Sequence, residues 1–429
     1  MPERSLLVLS RVAEGAWPGA PRGDVLPACI LIVNWRCPLN PRRGGAEVHL
    51  HEIAKRLVAR RHPVTVLTSR YRRAPMMELV DGVRYCRVGH EVSFLWRLRT
   101  ALRRLCAAQP FDLVIDDISK LPLAVHRQVA LPTIGWCHHI HGRSLYRQLP
   151  WPMAHAADRW ERTLPHRYAD VPMLAVSRST RAELIELGLS PGRIGYVPNA
   201  VDASAIQRDA TQKADDPLLL YLGRLQPYKN VDCVLRAFGR IRAACPNAAL
   251  AVVGSGPDQP RLRRLSQRLG LHGVTFHGHV DQQHKHHLLH RAWLSLASSS
   301  KEGWGICVLE ANAAGTPVIA SDVPGHRDAV MHEKTGLLYP FDDEQALAEA
   351  ALRCIHDRDA LRALGRQARR WASGFNWDQS VEQLLRWTAH FYPHLALKLG
   401  IFNRANEQAD APVVSDAPDT ARSPVAAAL

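Results

Sequence analysis

Glu302-Gly-Trp-Gly-Ile-Cys-Val-Leu-Glu310 places two carboxylates eight positions apart around a Gly-Trp-Gly turn. Gly303 and Gly305 let backbone N–H groups approach a ligand closely. A helix is expected to begin at Val308 and run to Ala314, and a helix N-terminus favours an anion. A carboxylate facing a phosphate would repel it, so Glu302 and Glu310 are better suited to accept hydroxyl hydrogen bonds. One anion together with several hydroxyls is the chemistry of a sugar nucleotide.

Other residues could serve the same ligand. Gly223-Arg224-Leu-Gln-Pro-Tyr-Lys229 follows an apolar strand. Arg224 can fork onto phosphate oxygens and Lys229 supplies a point charge. Both beside a diphosphate would stabilise a departing nucleoside diphosphate without a metal. Gly44-Gly45 lies between a strand and a helix containing Glu47 and His49, a place where phosphate can meet a helix N-terminus. Val253-Gly254-Ser-Gly-Pro257 ends another strand in a turn of the nucleotide-binding kind. Thr133-Ile-Gly-Trp-Cys-His138-His139-Ile-His141 brings histidines to a strand end. The spacing of His284, His287 and His290 matches helical metal ligands, but no acidic or cysteine partner is evident and an exposed helix is expected. Asp116-Asp117 is not a D-x-D motif and does not indicate a metal-held diphosphate. Gly-x-Ser-x-Gly and P-loop patterns are absent, which counts against a serine hydrolase and a P-loop NTPase.

The elements that must hold these residues alternate between short apolar strands and helical stretches. The first convincing strand is Ala28–Asn34, followed by strands at Val64–Thr68, Phe111–Asp116, Thr133–His138 and Met173–Ser177. A second series starts at Leu218 and continues at Ala249, Val274, Trp293 and Pro317. Such alternation predicts parallel sheets with crossover helices. Two doubly wound domains leave a cleft at the C-terminal ends of their strands, where ligands bind. The expected division is an irregular extension over 1–26, a first domain over 27–203, a polar linker over 204–216 and a second domain over 217–376. A C-terminal helical segment over 377–402 and a disordered Ala-, Asp- and Pro-rich tail over 403–429 complete it.

Composition bounds the class. The 429 residues exceed one ordinary core, and 46% apolar with 22% charged residues describes a soluble globular chain. No run of eighteen apolar residues occurs, and the N-terminus makes a poor signal peptide. Nine scattered cysteines without a C-x-x-C pair fit a reduced, cytoplasmic compartment. Of the net charge of +15, residues 1–200 carry +13. That basic half points to an anionic partner, and no nucleic-acid motif accompanies it. Residues 94–106 read as a basic amphipathic helix, either a domain helix with its apolar face in the core or one lying on an anionic membrane.

The ordered set of motifs resembles the GT-B fold retaining glycosyltransferases of family 4. The resemblance runs from Ile32 to about Tyr392. It rests on Gly44-Gly-Ala-Glu-Val-His49, the Gly223–Lys229 loop, the paired glutamates and Gly315-Thr-Pro-Val-Ile-Ala-Ser-Asp-Val-Pro-Gly325. Asn199-Ala-Val-Asp202 resembles the family's interdomain Asn-Gly-Val-Asp, with Ala200 in place of glycine. The resemblance implies two Rossmann-like doubly wound domains facing across a cleft, with a C-terminal helix returning towards the N-terminal domain. It implies acceptor binding mainly in the first domain and donor binding mainly in the second. Glu302 would hold the donor sugar and Glu310 the ribose. Gly45, Gly303, Trp304, Gly305, Ile306, Arg224 and Lys229 would meet the diphosphate and sugar, and Gly254 and Val280 the base and ribose. His138, with His139 as the alternative, would stand near the reaction centre.

The implied co-substrate is a UDP- or GDP-linked sugar, with no other cofactor and no metal. A hexose-type sugar would pass to a glycan or lipid-linked acceptor in cell-surface polysaccharide or glycolipid synthesis. The enzyme would be cytoplasmic, with a peripheral place on the inner face of the cytoplasmic membrane as an option. A sugar-nucleotide epimerase or disaccharide synthase of the same fold, and a non-catalytic glycan-binding scaffold, are the alternatives.

Overall fold

The computed structural model describes residues 26–41, 43–147, 149–208 and 211–401. Most of the expected N-terminal extension and the whole of the expected tail lie outside the described residues. The first sheet contains β1 (Ile30–Asn34), β2 (Val64–Thr68), β3 (Met77–Val80), β4 (Val83–Arg87), β5 (Leu113–Ile118), β6 (Thr133–Cys137), β7 (Met173–Ala175) and β8 (Ile194–Tyr196). Their order is β3-β4-β2-β1-β5-β6-β7-β8, and only the β3–β4 pair is antiparallel. The second sheet contains β9 (Leu218–Leu222), β10 (Ala249–Val253), β11 (Val274–Gly278), β12 (Leu294–Ala297), β13 (Val318–Ser321) and β14 (Gly336–Tyr339). It is parallel throughout, in the order β11-β10-β9-β12-β13-β14. The central strands are buried runs rich in Val, Ile and Leu, as parallel strands covered on both faces are.

Strand order reverses between β1 and β5 in one sheet and between β9 and β12 in the other. Loops leaving the two strands at such a point diverge to opposite faces and open a crevice. Lys229 follows β9 and Glu302 follows β12, so the switch point of the second sheet brings them together.

The C-terminal helix Trp377–Phe391 crosses back onto the first domain. Its Trp377, Val381 and Leu384 share a core with Leu50, Ile53 and Leu57 of the helix Gly45–Ala59. Beyond it, the Tyr392 hydroxyl donates to the Thr133 carbonyl at 2.9 Å and accepts from the Thr133 N–H at 3.2 Å. Burying each large apolar side chain contributes about 1.5–3 kcal/mol, so this return is a strong clasp.

Of the two readings of residues 94–106, the structure bears out the domain helix: Phe94–Ala108 turns its apolar side into the core and not to a membrane. Phe94, Leu98, Ala101, Leu102 and Leu105 are all buried against β1, β2 and β5 residues such as Leu31, Leu67 and Val114. Only its polar side, with the 80% exposed Trp96, faces outward. The polar stretch 204–216 begins within a short helix, Ala203–Arg208; Ile206 is buried, and Ala214 N–H donates to the Arg291 carbonyl at 3.0 Å. These contacts pin the segment to the second domain.

Candidate functional site

The loop after β9 ends in a single 3-10 turn, Pro227–Lys229, closed by Asn230 in the left-handed region at φ 52°. The tail of β12 stitches onto it. Ser298 Oγ donates to the Lys229 carbonyl at 2.7 Å, and Ser300 N–H donates to the Tyr228 carbonyl at 2.8 Å. Two strand ends that neighbour in the sheet are thereby held together beyond it, and Lys229 Nζ forms an ion pair with Glu302 Oε1. Ser299 Oγ donates to the same oxygen at 2.7 Å.

Both side chains are 13% exposed. Burial works against the Lys229 ammonium, and the Glu302 carboxylate more than offsets it, so its pKa stands above the usual lysine value. Burial likewise works against the Glu302 carboxylate, and Lys229 outweighs it, leaving its pKa below the usual value. Each partner keeps the other charged in a low-dielectric site. Arg224 lies nearby, with Nη2 donating to the Tyr228 hydroxyl at 2.8 Å.

The turn after Glu302 explains its two glycines separately. A Cβ on Gly303 would stand 2.0 Å from the His138 carbonyl oxygen, in the other domain. Gly305 caps the following helix at φ 99°, a conformation that favours glycine. That helix is Ile306–Ala313, two residues earlier than Val308, and no side chain caps its first N–H groups. Those groups remain donors for an anion. Trp304 does not present its ring to the cleft. It is 2% exposed, packed at 5.3 Å from Phe375 and 6.3 Å from Tyr196, so only its backbone belongs to the turn.

The first domain closes onto these residues. Gly44 leaves 2.9 Å between its missing Cβ and Arg224 Cζ, and Gly45 faces Ile306 Cδ1 at 3.5 Å. Gly44 N–H donates to Glu47 Oε2 at 2.6 Å, which fixes the helix start. Ser179 N–H donates to Asp328 Oδ2 at 3.0 Å, and Lys301 pairs with Glu183, both across the two domains.

His138 follows β6. Its Nε2 donates to Asp117 Oδ1 at 2.7 Å, and its ring lies 4.9 Å from His49. Burial pushes the Asp117 carboxyl up, against the pull of His138. His49, Asp117 and His138 bring three ligand-type atoms within 4.8 Å, a buried grouping that could hold a cation or a polarised histidine. His139 pairs instead with His141, Nε2 to Nδ1 at 3.2 Å, and burial holds both rings below the usual histidine pKa, His141 to about 4. Asp116 and Asp117 point to opposite faces of β5, as successive strand residues must. Asp116 takes the Tyr168 hydroxyl at 2.6 Å.

The remaining candidates fall into place around the second domain. Glu310 Oε1 accepts from Lys285 Nζ at 2.5 Å, a partner that sequence reasoning missed. Gly254, at φ 128°, has its missing Cβ 1.9 Å from the Gly223 carbonyl oxygen, so this glycine lets two loops touch. Val280 is half-buried in the core beneath them. The histidine helix, Gln282–Arg291, is not simply exposed. His290 is buried and bonds the Ile206 carbonyl at 2.8 Å, which commits it away from His284 and His287.

Known proteins place this geometry. Residues 43–205 match the model described as Glycosyltransferase Family 4, and residues 202–371 match Glycosyl transferases group 1. The chain is 30% identical over 372 residues to a GDP-mannose-dependent alpha-(1-6)-phosphatidylinositol monomannoside mannosyltransferase of Mycobacterium tuberculosis, spanning 80% of this chain and 94% of that one. It is equally 30% identical, over 415 residues, to a glycogen synthase of the same organism, spanning 86% and 95%. In fold it resembles a sucrose-phosphate synthase from Thermosynechococcus elongatus, with a TM-score of 0.74 at 22% identity over 86% of this chain and all of that one. The chain belongs to the family 4 glycosyltransferases of GT-B fold.

Proposed function

We propose that this transferase moves a hexose-type sugar from a UDP- or GDP-linked donor to a glycan or lipid-linked acceptor, with retention of anomeric configuration and without a metal. The observation that carries the reading is the buried Lys229–Glu302 pair, with Arg224 close by and an uncapped helix N-terminus directly after the turn. Two cations and free N–H groups suit a diphosphate, and a carboxylate beside them suits sugar hydroxyls.

In this reading the bond between the anomeric carbon and the β-phosphate oxygen breaks while the acceptor oxygen bonds the same face of that carbon. The acceptor proton passes to the departing β-phosphate. Arg224, Lys229 and the N–H groups of Gly303 to Ile306 hold the charge that develops. Glu302 takes donor hydroxyls through Oε2, since Lys229 and Ser299 both engage Oε1. Glu310, steadied by Lys285, takes the ribose. Gly254 and Val280 border the base, Gly45 admits the phosphate, and His138 lies against the donor sugar. Two cations already serve the leaving group, which is the reason for leaving a metal out.

The acceptor belongs to cell-surface polysaccharide or glycolipid synthesis. Support comes from the +13 charge of residues 1–200 and from the lipid acceptor in the mannosyltransferase relative's name. A peripheral position on the cytoplasmic membrane follows from that charge. Among the described residues no helix is long and apolar enough to cross a membrane.

A thermal-shift screen against UDP-, GDP- and ADP-sugars selects the donor, since a bound ligand raises apparent stability. Turnover is then measured with that donor. Lys229→Ala is expected to lower kcat by about 10²–10³-fold, the usual cost of removing one donor from charge stabilisation. A folded Lys229→Ala protein with unchanged turnover defeats the assignment.

A further inference from the structure

A second basic site lies on the far side of the second domain. The helix Arg358–Ser373 carries Arg358, Arg362, Arg366, Arg369 and Arg370 along a groove of about 620 Å³, and Lys213 faces the same space. Among the described residues no carboxylate lines it.

The groove has a built floor. Gly315 sits in the left-handed region at φ 71°, and its missing Cβ would stand 2.7 Å from Arg369 Nη2. A Cβ on Gly365 would stand 2.6 Å from the Gly315 carbonyl oxygen. Two glycines therefore let the helix lie directly on the Gly315 turn. Trp293 forms part of the wall, with Arg358 Cζ 3.9 Å above its ring.

Two of the cations have structural work within the fold. Lys213 Nζ donates to the Ala292 carbonyl and Thr316 Oγ1, both at 2.6 Å, and Arg369 Nη2 reaches the Ala314 carbonyl at 3.4 Å. Arg362 touches the exposed Asp359 at 3.4 Å. Arg366 and Arg370 have no acidic partner among the described residues. Arg358, Arg362, Arg366 and Arg370 recur at every fourth position, so their like charges stand one above another and repel. An anion spanning them relieves that repulsion.

We propose that this groove binds a phosphate-bearing ligand at a site separate from the donor cleft. Planar guanidinium groups repeated along one wall match phosphate oxygens. The volume falls within the range of small-molecule sites, about 300–1,000 Å³, and suits a pyrophosphate or a phosphorylated sugar. The site also has a physical route to the donor cleft. Gly315 follows the C-cap, Ala314, of the helix Ile306–Ala313, about 12 Å long, whose opposite end forms the uncapped turn beyond Glu302.

This inference does not depend on the proposed transfer. Calorimetric titration with inorganic pyrophosphate at low salt tests it on three full-length proteins: the unaltered chain, Lys229→Ala, and Lys229→Ala with Arg362→Glu and Arg366→Glu. Lys229→Ala is expected to retain one pyrophosphate site, because the groove is untouched. The added charge reversals are expected to weaken that site by about tenfold or more, the loss of two charge-assisted contacts. Arg362→Gln with Arg366→Gln, in the same background, serves as a milder replacement if the reversals disturb folding. Co-sedimentation with phosphatidylglycerol vesicles separates the sources. Sedimentation lost on the arginine substitutions assigns the phosphate to a lipid headgroup, while pyrophosphate binding without it assigns a soluble ligand. If pyrophosphate binding by Lys229→Ala is absent or unchanged by the arginine substitutions, and no vesicle binding depends on Arg362 and Arg366, the proposal is overturned.

Discussion

Gly303→Ala tests whether the contact between the two domains is the reactive arrangement. The added Cβ would stand 2.0 Å from the His138 carbonyl oxygen, and tight contacts begin to relax only beyond 3.4 Å. The two backbones must therefore part by about 1.4 Å. Neither atom belongs to a side chain that could rotate away, and the φ at 303 is not one that demands glycine. The strain falls on the gap between the domains, not on either core. A displacement of about 1 Å at a reaction centre costs about 10²-fold, or about 2.7 kcal/mol of transition-state stabilisation. Gly303→Ala is thus expected to lower kcat/KM by about 10²-fold. Nucleotide affinity, measured by calorimetry, should stay within about threefold, because the charged groups proposed to meet the diphosphate, Arg224 and Lys229, both belong to the second domain. Gly325→Ala is the comparison: its Cβ would meet the Glu302 backbone at 2.4 Å within one domain, so Tm should fall along with activity. If Gly303→Ala turns over normally, the closed contact is not the reactive one.

Other outcomes follow from the same geometry. Glu302 has a depressed pKa, so its pairing with Lys229 contributes in full above about pH 4.3 and is lost as pH falls through the lower folded value. Lys229→Met should therefore cost about 3–5 kcal/mol near neutral pH, with the deficit narrowing in acid as the stranded carboxyl takes a proton; a deficit constant from pH 8 to pH 4 in denaturant titrations counts against the pairing. Leu102→Asp, at a fully buried position, should destabilise by more than about 3 kcal/mol, whereas Trp96→Ala at an 80% exposed position should change stability by less than about 0.5 kcal/mol. If the outer side of that helix meets a membrane, Trp96→Ala weakens co-sedimentation with anionic vesicles; unaltered sedimentation removes it from the contact. Gly254→Ala should cost about 1–3 kcal/mol from its φ of 128° alone, and a Tm equal to that of the parent would show that the two loops are not in contact.

The strands that wrap the crevice were legible because buried parallel strands are short runs dominated by apolar residues. β3 and β4 escaped notice because they form an edge hairpin of mixed residues. A signal existed: Asp81 and Gly82, at φ 51° and 74°, are the Asp-Gly pair of a tight hairpin turn. The helix after the Gly-Trp-Gly turn was placed two residues late because its cap is a glycine with no side-chain oxygen to announce it. Lys229, Arg224 and Glu302 were legible from their positions after strands. Lys285 and Asp117 were not, since each meets its partner only after the chain has passed through a crossover and returned.

The charged groups and the glycines divide between the domains in a way that bears on order of events. Arg224, Lys229, Glu302 and Glu310 all come from the second domain, and Lys229 with Glu302 is already paired within it. Among the described residues the first domain brings no countercharge to that pair. It brings space at Gly44 and Gly45, and the His138 carbonyl that fits only against a glycine. In the proposed function, a nucleotide is held by the second domain, and contact with the first domain adds geometry more than charge. Because closure excludes water, the same ion pair and phosphate contacts act in a lower dielectric once the domains meet. The proposed function thus makes donor affinity and turnover separable by mutation, the first at the strand ends of β9 and β12, the second at the Gly303–His138 backbone contact.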